Sequence, residues 1–313
     1  MSPVAKYFLF QALIIAPFAA GYFLKRRFAS PAESSRRIVR ANLILVEPLI
    51  ALWAIWGLRM SAELVVLPLS GLGLVLLGLG LGAVIAPLLR LRGTSRAAFL
   101  ISASLANHGF TMGGFICYLV LGETGLGYSF IFISYFMLYT CLVIFPYARR
   151  ASSAGGDTPS PATYIFDLQN MPLLAVIAAI VLNLAGVPRP AVPFPSDILL
   201  AVSIASYYFA LGLNFSVSDL RGTLRESAAL SLIKFVLVPA AAITLLHFSG
   251  LPRDMKTVIT LQSFMPAALF SVLASILFGL DTRLASGFFV ASTVLFILAG
   301  LPLLLLALPA LFR

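Results

Sequence analysis

Asn107-His108-Gly109-Phe110, followed by Gly113-Gly114, and Gln262-Ser263-Phe264-Met265-Pro266 decide how this chain folds. Each stretch places helix breakers in the middle of an apolar segment otherwise long enough to cross a bilayer. Lipid cannot hydrogen-bond a freed N–H or C=O. Broken backbone at membrane depth therefore survives only where protein or a water-filled cavity satisfies it. The two interruptions fall at corresponding places in the two halves of the chain, and paired breaks of this kind mark a binding site built near mid-membrane.

Composition sets the frame for that reading. The chain of 313 residues is 61% hydrophobic and 10% charged, with a mean hydropathy of +1.04. A soluble domain carries about 25% charged residues, so this is an integral membrane protein. Apolar segments of roughly 20 residues recur along its length, as spanning helices require, and the alternation of barrel strands is missing. The net charge of +10 raises nucleic acid as a partner. The basic residues, however, sit in short loops between apolar spans, which points to cytoplasmic membrane flanks and not to nucleic acid. Cys117 and Cys141 both lie inside apolar segments and read as packing residues, with no disulfide or metal framework. The first apolar stretch, from Val4, has no basic leader before it or small-residue cleavage site after it, and is expected to be a retained helix.

Ten spans can be drawn, at 4–24, 38–58, 64–89, 97–120, 126–147, 167–186, 196–216, 227–248, 255–278 and 284–308. One set of loops holds Lys25, Arg26, Arg27, Arg36, Arg37, Arg40, Arg90, Arg92, Arg96, Arg149, Arg150, Arg221, Arg225 and Arg283. The other set holds only Lys6, Arg59, Arg189, Arg253, Lys256 and Arg313. That bias puts the first set in the cytoplasm and both termini outside. The longest polar linker, 151–163, divides the chain near its midpoint into 1–150 and 164–313. With five spans on each side, the second half enters the membrane from the opposite face. The halves are then inverted-topology repeats if they share a fold. Gly71, Gly73, Gly78, Gly80 and Gly82 in the third span read as small residues that let helices approach closely.

The chemistry-bearing candidates lie at the breaks. In the fourth span Asn107, His108, Gly109, Thr111, Gly113 and Gly114 combine polar side chains with pliable backbone. A half-helix starting there turns its N–H groups and the positive end of its dipole toward an anion, and Asn107 can both donate and accept. The competing reading is a glycine-kinked helix whose Asn bonds a neighbouring helix. In the ninth span Gln262, Ser263, Met265 and Pro266 surround a proline that removes a donor and clashes with the carbonyl four residues back; a simple kink is the competing reading. His108 reads either as a proton shuttle or as a buried neutral ring. Ionisable residues inside spans are functional candidates by default, here Glu47 and Lys234. Their depths are similar, so pairing between them is one expectation and snorkelling of Lys234 to the interface the other. Asp219, Asp281 and Arg283, near cytoplasmic ends, read as solvated. Enzyme signatures (H-E-x-x-H, G-x-S-x-G, a P-loop) are not found, and no cofactor is expected.

At these residues the chain resembles the auxin efflux carrier family, whose bacterial members are permeases for small organic acids. Asn107-His108-Gly109-Phe110-Thr111-Met112-Gly113-Gly114 approaches the family's fourth-span pattern of Asn, Gly-Phe and Gly-x-Pro. The run Leu121-Gly122-Glu123-Thr124-Gly125-Leu126-Gly127-Tyr128 is also similar. In the second half the likeness is carried by Leu232 through Pro239, by Ala210-Leu211-Gly212-Leu213, by Met265-Pro266-Ala267 through Phe278-Gly279-Leu280-Asp281, and by Ala285-Ser286 and Ser292-Thr293. One departure is clear: Gly114 stands where the family has its crossover proline.

The resemblance implies an all-α fold of ten transmembrane helices, arranged as two inverted five-helix repeats with broken helices 4 and 9 crossing. It also implies a scaffold domain and a transport domain, each built from both repeats, and elevator-like alternating access. Asn107 then stands at the substrate-contacting position and Lys234 at a supporting one. Glu47 falls on the scaffold and Lys234 on the transport domain, which weighs against their pairing. The expected function is secondary transport of a small carboxylate-bearing organic anion across the cytoplasmic membrane. Uniport or proton coupling is preferred to sodium coupling of the bile acid:sodium symporter type, because no carboxylate lies between Met255 and Gly279. A non-transporting membrane sensor is the alternative from another class, and a homodimer is expected by analogy.

Overall fold

A computed structural model describes residues 3–152, 171–215 and 222–311. The linker expected at 151–163 lies almost wholly outside the described residues, as do Asp219 and Arg221. Among the described residues all regular structure is helical, apart from a single antiparallel bridge between Ala106 and Ala267.

Among the described residues six helices are long and apolar enough to cross a membrane: α2 (Pro31–Trp56), α3 (Ala62–Leu88), α5 (Met112–Ala151), α7 (Ser196–Asn214), α8 (Leu224–His247) and α11 (Thr282–Leu308). The remainder are α1 (Pro3–Leu24), α4 (Gly93–Ser104), α6 (Met171–Leu184), α9 (Arg253–Ser263) and α10 (Leu269–Leu277). The segments drawn at 97–120 and 255–278 are each interrupted, so neither forms one long helix. The 40-residue α5 is in turn divided at Gly122, whose φ of 64° and ψ of −149° suit glycine almost alone. Large apolar side chains face outward along these helices. Leu88, Leu142, Leu245 and Leu306 are each more than 70% exposed, as lipid-facing positions of a membrane protein are.

Prolines shape four of the helices in the same way. π turns occupy Asn42–Val46, Thr140–Ile144, Ile233–Leu237 and Phe296–Gly300, and a proline follows each by two residues: Pro48, Pro146, Pro239 and Pro302. A proline ring clashes with the carbonyl four residues back. Widening the preceding turn by one residue relieves that clash without ending the helix.

The described chain forms two compact units, each drawn from both halves of the sequence. One comprises 1–62, 114–131 and 165–216; the other comprises 63–113, 132–164 and 217–313. In the first, α1 and α7 pack closely through reciprocal glycines. A side chain on Gly21 would meet the Phe209 carbonyl, and one on Gly212 would meet the Phe18 carbonyl. The Asn183 amide caps the end of α2, donating to the carbonyls of Trp56 at 2.9 Å and Leu58 at 2.7 Å. In the second unit α3 lies against α4. A Cβ on Gly78 would strike the Ala103 carbonyl, and one on Gly82 would come 2.9 Å from the Ala103 Cβ, whereas Gly73 and Gly80 face open space. Phe99 of α4 meets Phe288 of α11 edge-on at 5.5 Å.

The link from α10 to α11 also belongs to this unit. Gly279 (φ 60°) ends α10 in a Schellman turn, with Leu280 N–H donating to the Ser275 carbonyl at 2.8 Å. Asp281 is not simply solvated as its position suggested. Its Oδ1 caps α11 through the Leu284 N–H at 3.0 Å, and its Oδ2 accepts from the Ser95 hydroxyl at 2.7 Å. A capping carboxylate at the end of a span is easily mistaken for a surface charge.

Candidate functional site

Both sequence-marked interruptions, the first as far as Gly113, lie in the second unit, and the structure brings them together. α4 stops at Ser104 and helical backbone resumes with a π turn over Phe110–Gly114. α9 stops at Ser263 and α10 begins at Leu269. Between these ends the two extended strips run antiparallel. Asn107 N–H donates to the Pro266 carbonyl at 2.8 Å, and Ala268 N–H donates to the Leu105 carbonyl at 3.2 Å. The backbone freed by breaking each helix is thus partly satisfied by the other, as a low-dielectric setting demands. Pro266 ends α9 by having no N–H to give the Gln262 carbonyl, and it is buried with its own carbonyl engaged.

Side chains from several helices brace this crossing. Gln262, fully buried, donates from Nε2 to the His108 carbonyl at 3.2 Å. Its Oε1 has no donor among the described residues and lies where a Cβ on Gly113 would be. Gly113 is therefore required by close approach and not by its dihedral angles; its N–H closes the turn on the Asn107 carbonyl at 3.1 Å. The Ser292 hydroxyl of α11 accepts from Ala267 N–H at 3.2 Å and donates to the Phe288 carbonyl at 2.7 Å. Ser104 Oγ shares a hydrogen bond with the Tyr139 hydroxyl at 2.6 Å and reaches the Val75 carbonyl at 2.9 Å.

His108 is 3% exposed, its Nδ1 hydrogen-bonded to the Tyr135 hydroxyl at 2.7 Å and its ring edge-on to Phe132 at 5.2 Å. Ser263 turns its hydroxyl back to the Thr260 carbonyl at 2.7 Å, and Met265 is fully buried. A Cβ on Gly109 would meet Ile133 at an ordinary 3.6 Å. Asn107 is half-buried. Gly114 closes the π turn that restarts the helix. The side chain of Thr111 lies outside the described residues.

Glu47 and Lys234 do not form an ion pair. Glu47, 7% exposed, hydrogen-bonds Tyr207 within the first unit. Lys234, 3% exposed, lies in the second unit, where its Nζ donates to the carbonyls of Ser104 at 3.3 Å and Leu105 at 3.0 Å. Its ammonium turns inward to the crossing and does not snorkel; the carbonyls at the end of a broken helix outcompete the interface. The sequence pattern did not single out Tyr135 or Tyr139, and it named Ser292 only within the family resemblance, with no role at the site. Tyr135 and Tyr139 carry a faint signal, being hydroxyls four residues apart on one face of an apolar helix. Among the described residues no group of His, Cys, Asp or Glu is placed to hold a metal ion.

Lipid-facing helices around a pair of bridged breaks define a multi-pass membrane protein with a prepared polar centre inside an apolar unit. The chain belongs to the family described as membrane transport protein, whose family model matches residues 9–304, and the resemblance to auxin efflux carriers drawn from the crossover motifs falls within it. It is a membrane transporter. No curated protein matches the chain.

Proposed function

We propose that this transporter moves a small carboxylate-bearing organic anion across the cytoplasmic membrane by alternating access at the crossing of the two broken segments. The observation that carries the reading is the backbone pairing of Ala106 with Ala267. It fixes the start of α10 and the restart of helix at Phe110 beside one another's breaks. Helix N-termini offer N–H groups and about half a positive charge each to an anion. Half-buried Asn107, at the edge of the bridge, supplies the side chain that orients the carboxylate.

The proposed architecture is ten spans in two inverted repeats, with both termini outside. The matching of breaks in segments four and nine supports it. So does the matching of proline-linked π turns in segments five and ten, at Pro146 and Pro302. The unit that holds the crossing serves as the transport domain and the other as the scaffold, and an elevator-like displacement switches access. A membrane potential contributes about 2.3 kcal/mol per unit charge per 100 mV, enough to drive export of an anion without a bound co-ion.

The test is flux of radiolabelled mono- and dicarboxylates in proteoliposomes with wild type and Asn107→Ala. Saturable wild-type flux that falls at least tenfold in the variant is expected. Undiminished flux in the variant removes Asn107 from the site. Saturable binding with no flux in either protein would instead favour a sensor.

A further inference from the structure

We propose that the singly protonated His108 imidazole supplies the N–H that Pro266 withholds, donating from Nε2 to the Gln262 carbonyl and so holding the two breaks in register. His108 is then a positioning residue for the crossing and makes no substrate contact. The inference rests on the transport reading only for what the crossing positions, the side chain of Asn107.

Four observations carry it. Pro266 stands four residues after Gln262, and a proline has no N–H for the carbonyl one turn back. The main-chain donor left to the Gln262 carbonyl is the Met265 N–H, at a long 3.3 Å. A carbonyl has two lone pairs, and Gln262 is fully buried, so a protein donor is needed for the second. Second, the His108 side chain is hydrogen-bonded to the main chain of Gln262. The Gln262 N–H lies inside α9 and belongs to its ladder, which leaves the carbonyl as the partner. Third, His108 Nδ1 lies 2.7 Å from the Tyr135 hydroxyl. That residue is 7% exposed, and its hydroxyl has no other hydrogen-bond partner among the described residues. Its proton therefore goes to Nδ1, which makes Nδ1 the acceptor and Nε2 the donor. Fourth, the grip is mutual, because Gln262 Nε2 donates to the His108 carbonyl at 3.2 Å. Each side chain bonds the other residue's main chain, one from each broken segment.

The ring is also held from behind. Phe132 meets it edge-on at 5.2 Å, and Gly71 of α3 leaves room for Tyr135, whose ring a Cβ there would strike at 2.4 Å. His108 follows Asn107 directly, so a ring fixed at both nitrogens fixes the backbone from which the Asn107 side chain departs. With neither nitrogen free, the imidazole holds the crossing and does not shuttle protons through it.

The first experiment is solid-state NMR of the full chain in lipid bilayers, with isotope-labelled imidazole nitrogens, at neutral pH. The sequence has two histidines, and His247→Gln, at an exposed position, leaves the signal of His108 alone. A protonated Nε2 beside a bare Nδ1 is expected. A bare Nε2, or a proton on both nitrogens, overturns the proposal. The second experiment is thermal unfolding of His108→Gln and His108→Asn. Of these two amides the longer can place an N–H near the Nε2 position and the shorter near Nδ1. His108→Gln is expected to melt close to wild type and His108→Asn several degrees lower. The reverse order, or an equal loss, overturns the proposal, since the Tyr135 bond or the bulk of the ring would then be what matters. Should neither variant fold, the wild-type ring still decides by its tautomer. Neither reading needs flux. A wild type that transports nothing defeats the transport proposal and leaves both results intact.

Discussion

Asn107 N–H donates to the Pro266 carbonyl at 2.8 Å, so the polar residue that opens one break is held by the proline that makes the other. The two positions are 159 residues apart in the chain. In the antiparallel pairing of Ala106 with Ala267, the atoms that bond are Asn107 N, Pro266 O, Leu105 O and Ala268 N. The proline nitrogen is not among them. Pro266 can thus end α9 and still contribute its acceptor without weakening the bridge.

Replacing Pro266 with Ala tests that division of labour. The bridge acceptor is retained, so stability should change by no more than about 1 kcal/mol. The new N–H, however, lets the chain continue α9 by bonding the Gln262 carbonyl, in competition with the extended strip. Hydrogen exchange at the Asn107 amide should therefore quicken and flux should fall at least tenfold. An Asn107 amide as well protected as in wild type would show that the strip does not depend on the proline.

The glycines of α3 separate by face. Gly78→Ala drives a methyl into the Ala103 carbonyl, and overpacking of this kind costs about 1–3 kcal/mol. Gly80→Ala meets nothing within 4 Å and should gain about 0.5–1 kcal/mol from helix propensity. Thermal melts of the two variants should move in opposite directions. A shared direction would mean that the α3–α4 contact is looser than the glycine spacing indicates.

Much of this arrangement is legible in the sequence, and what is not has a physical reason. The breaks can be read because Gly, Asn and Pro clustered inside an apolar run act against the helix that the run would otherwise form. The partner of Lys234 cannot be read, because a backbone carbonyl is offered by every residue and leaves no signature. Pairing with Glu47 looks plausible only because the sequence shows side chains alone. Gly109 and Gly113 look alike on the page, yet only Gly113 lies against a polar side chain, that of Gln262, which no local pattern announces. The four π turns outside the crossing escape a hydropathy reading, which has no register for one extra residue, although each sits two residues before a proline.

Arg189 should matter more through its plane than through its charge. Its Nη1 bonds Glu123 Oε2 at 3.0 Å and the Trp53 carbonyl at 3.2 Å, and its guanidinium lies 4.6 Å from the Trp53 ring centre. Trp53 in turn stacks on Phe194 at 4.5 Å. The ion pair is 30% and 42% exposed on its two sides, and such pairs contribute about 0–1 kcal/mol. Glu123→Gln should therefore change stability by less than about 1 kcal/mol, with the difference shrinking in high salt. Arg189→Lys loses the planar stack on Trp53 and should cost about 1–2 kcal/mol. Equal effects of the two variants would return the weight to the ion pair.

Gly113 and Gln262 form the contact where a double-mutant cycle is most informative. A methyl at position 113 would occupy the space of the Gln262 amide oxygen, so Gly113→Ala must turn that amide away and break its bond to the His108 carbonyl. A buried acceptor left unsatisfied costs about 1–3 kcal/mol, and Gln262→Ala should cost a similar amount for the same reason. With Gln262 already shortened, the methyl of Gly113→Ala loses its clash with the amide and keeps only its 2.9 Å approach to the His108 carbonyl, so it should cost less than in the wild-type background. The cycle should therefore show a coupling of about 1–3 kcal/mol. Gly109→Ala serves as the internal control, since its nearest neighbour, Ile133 Cδ1, stands at 3.6 Å and has no need to move. If Gly109→Ala and Gly113→Ala melt alike, and the cycle closes without coupling, then Gln262 does not brace the crossing. The His108 carbonyl must then be satisfied by some other donor.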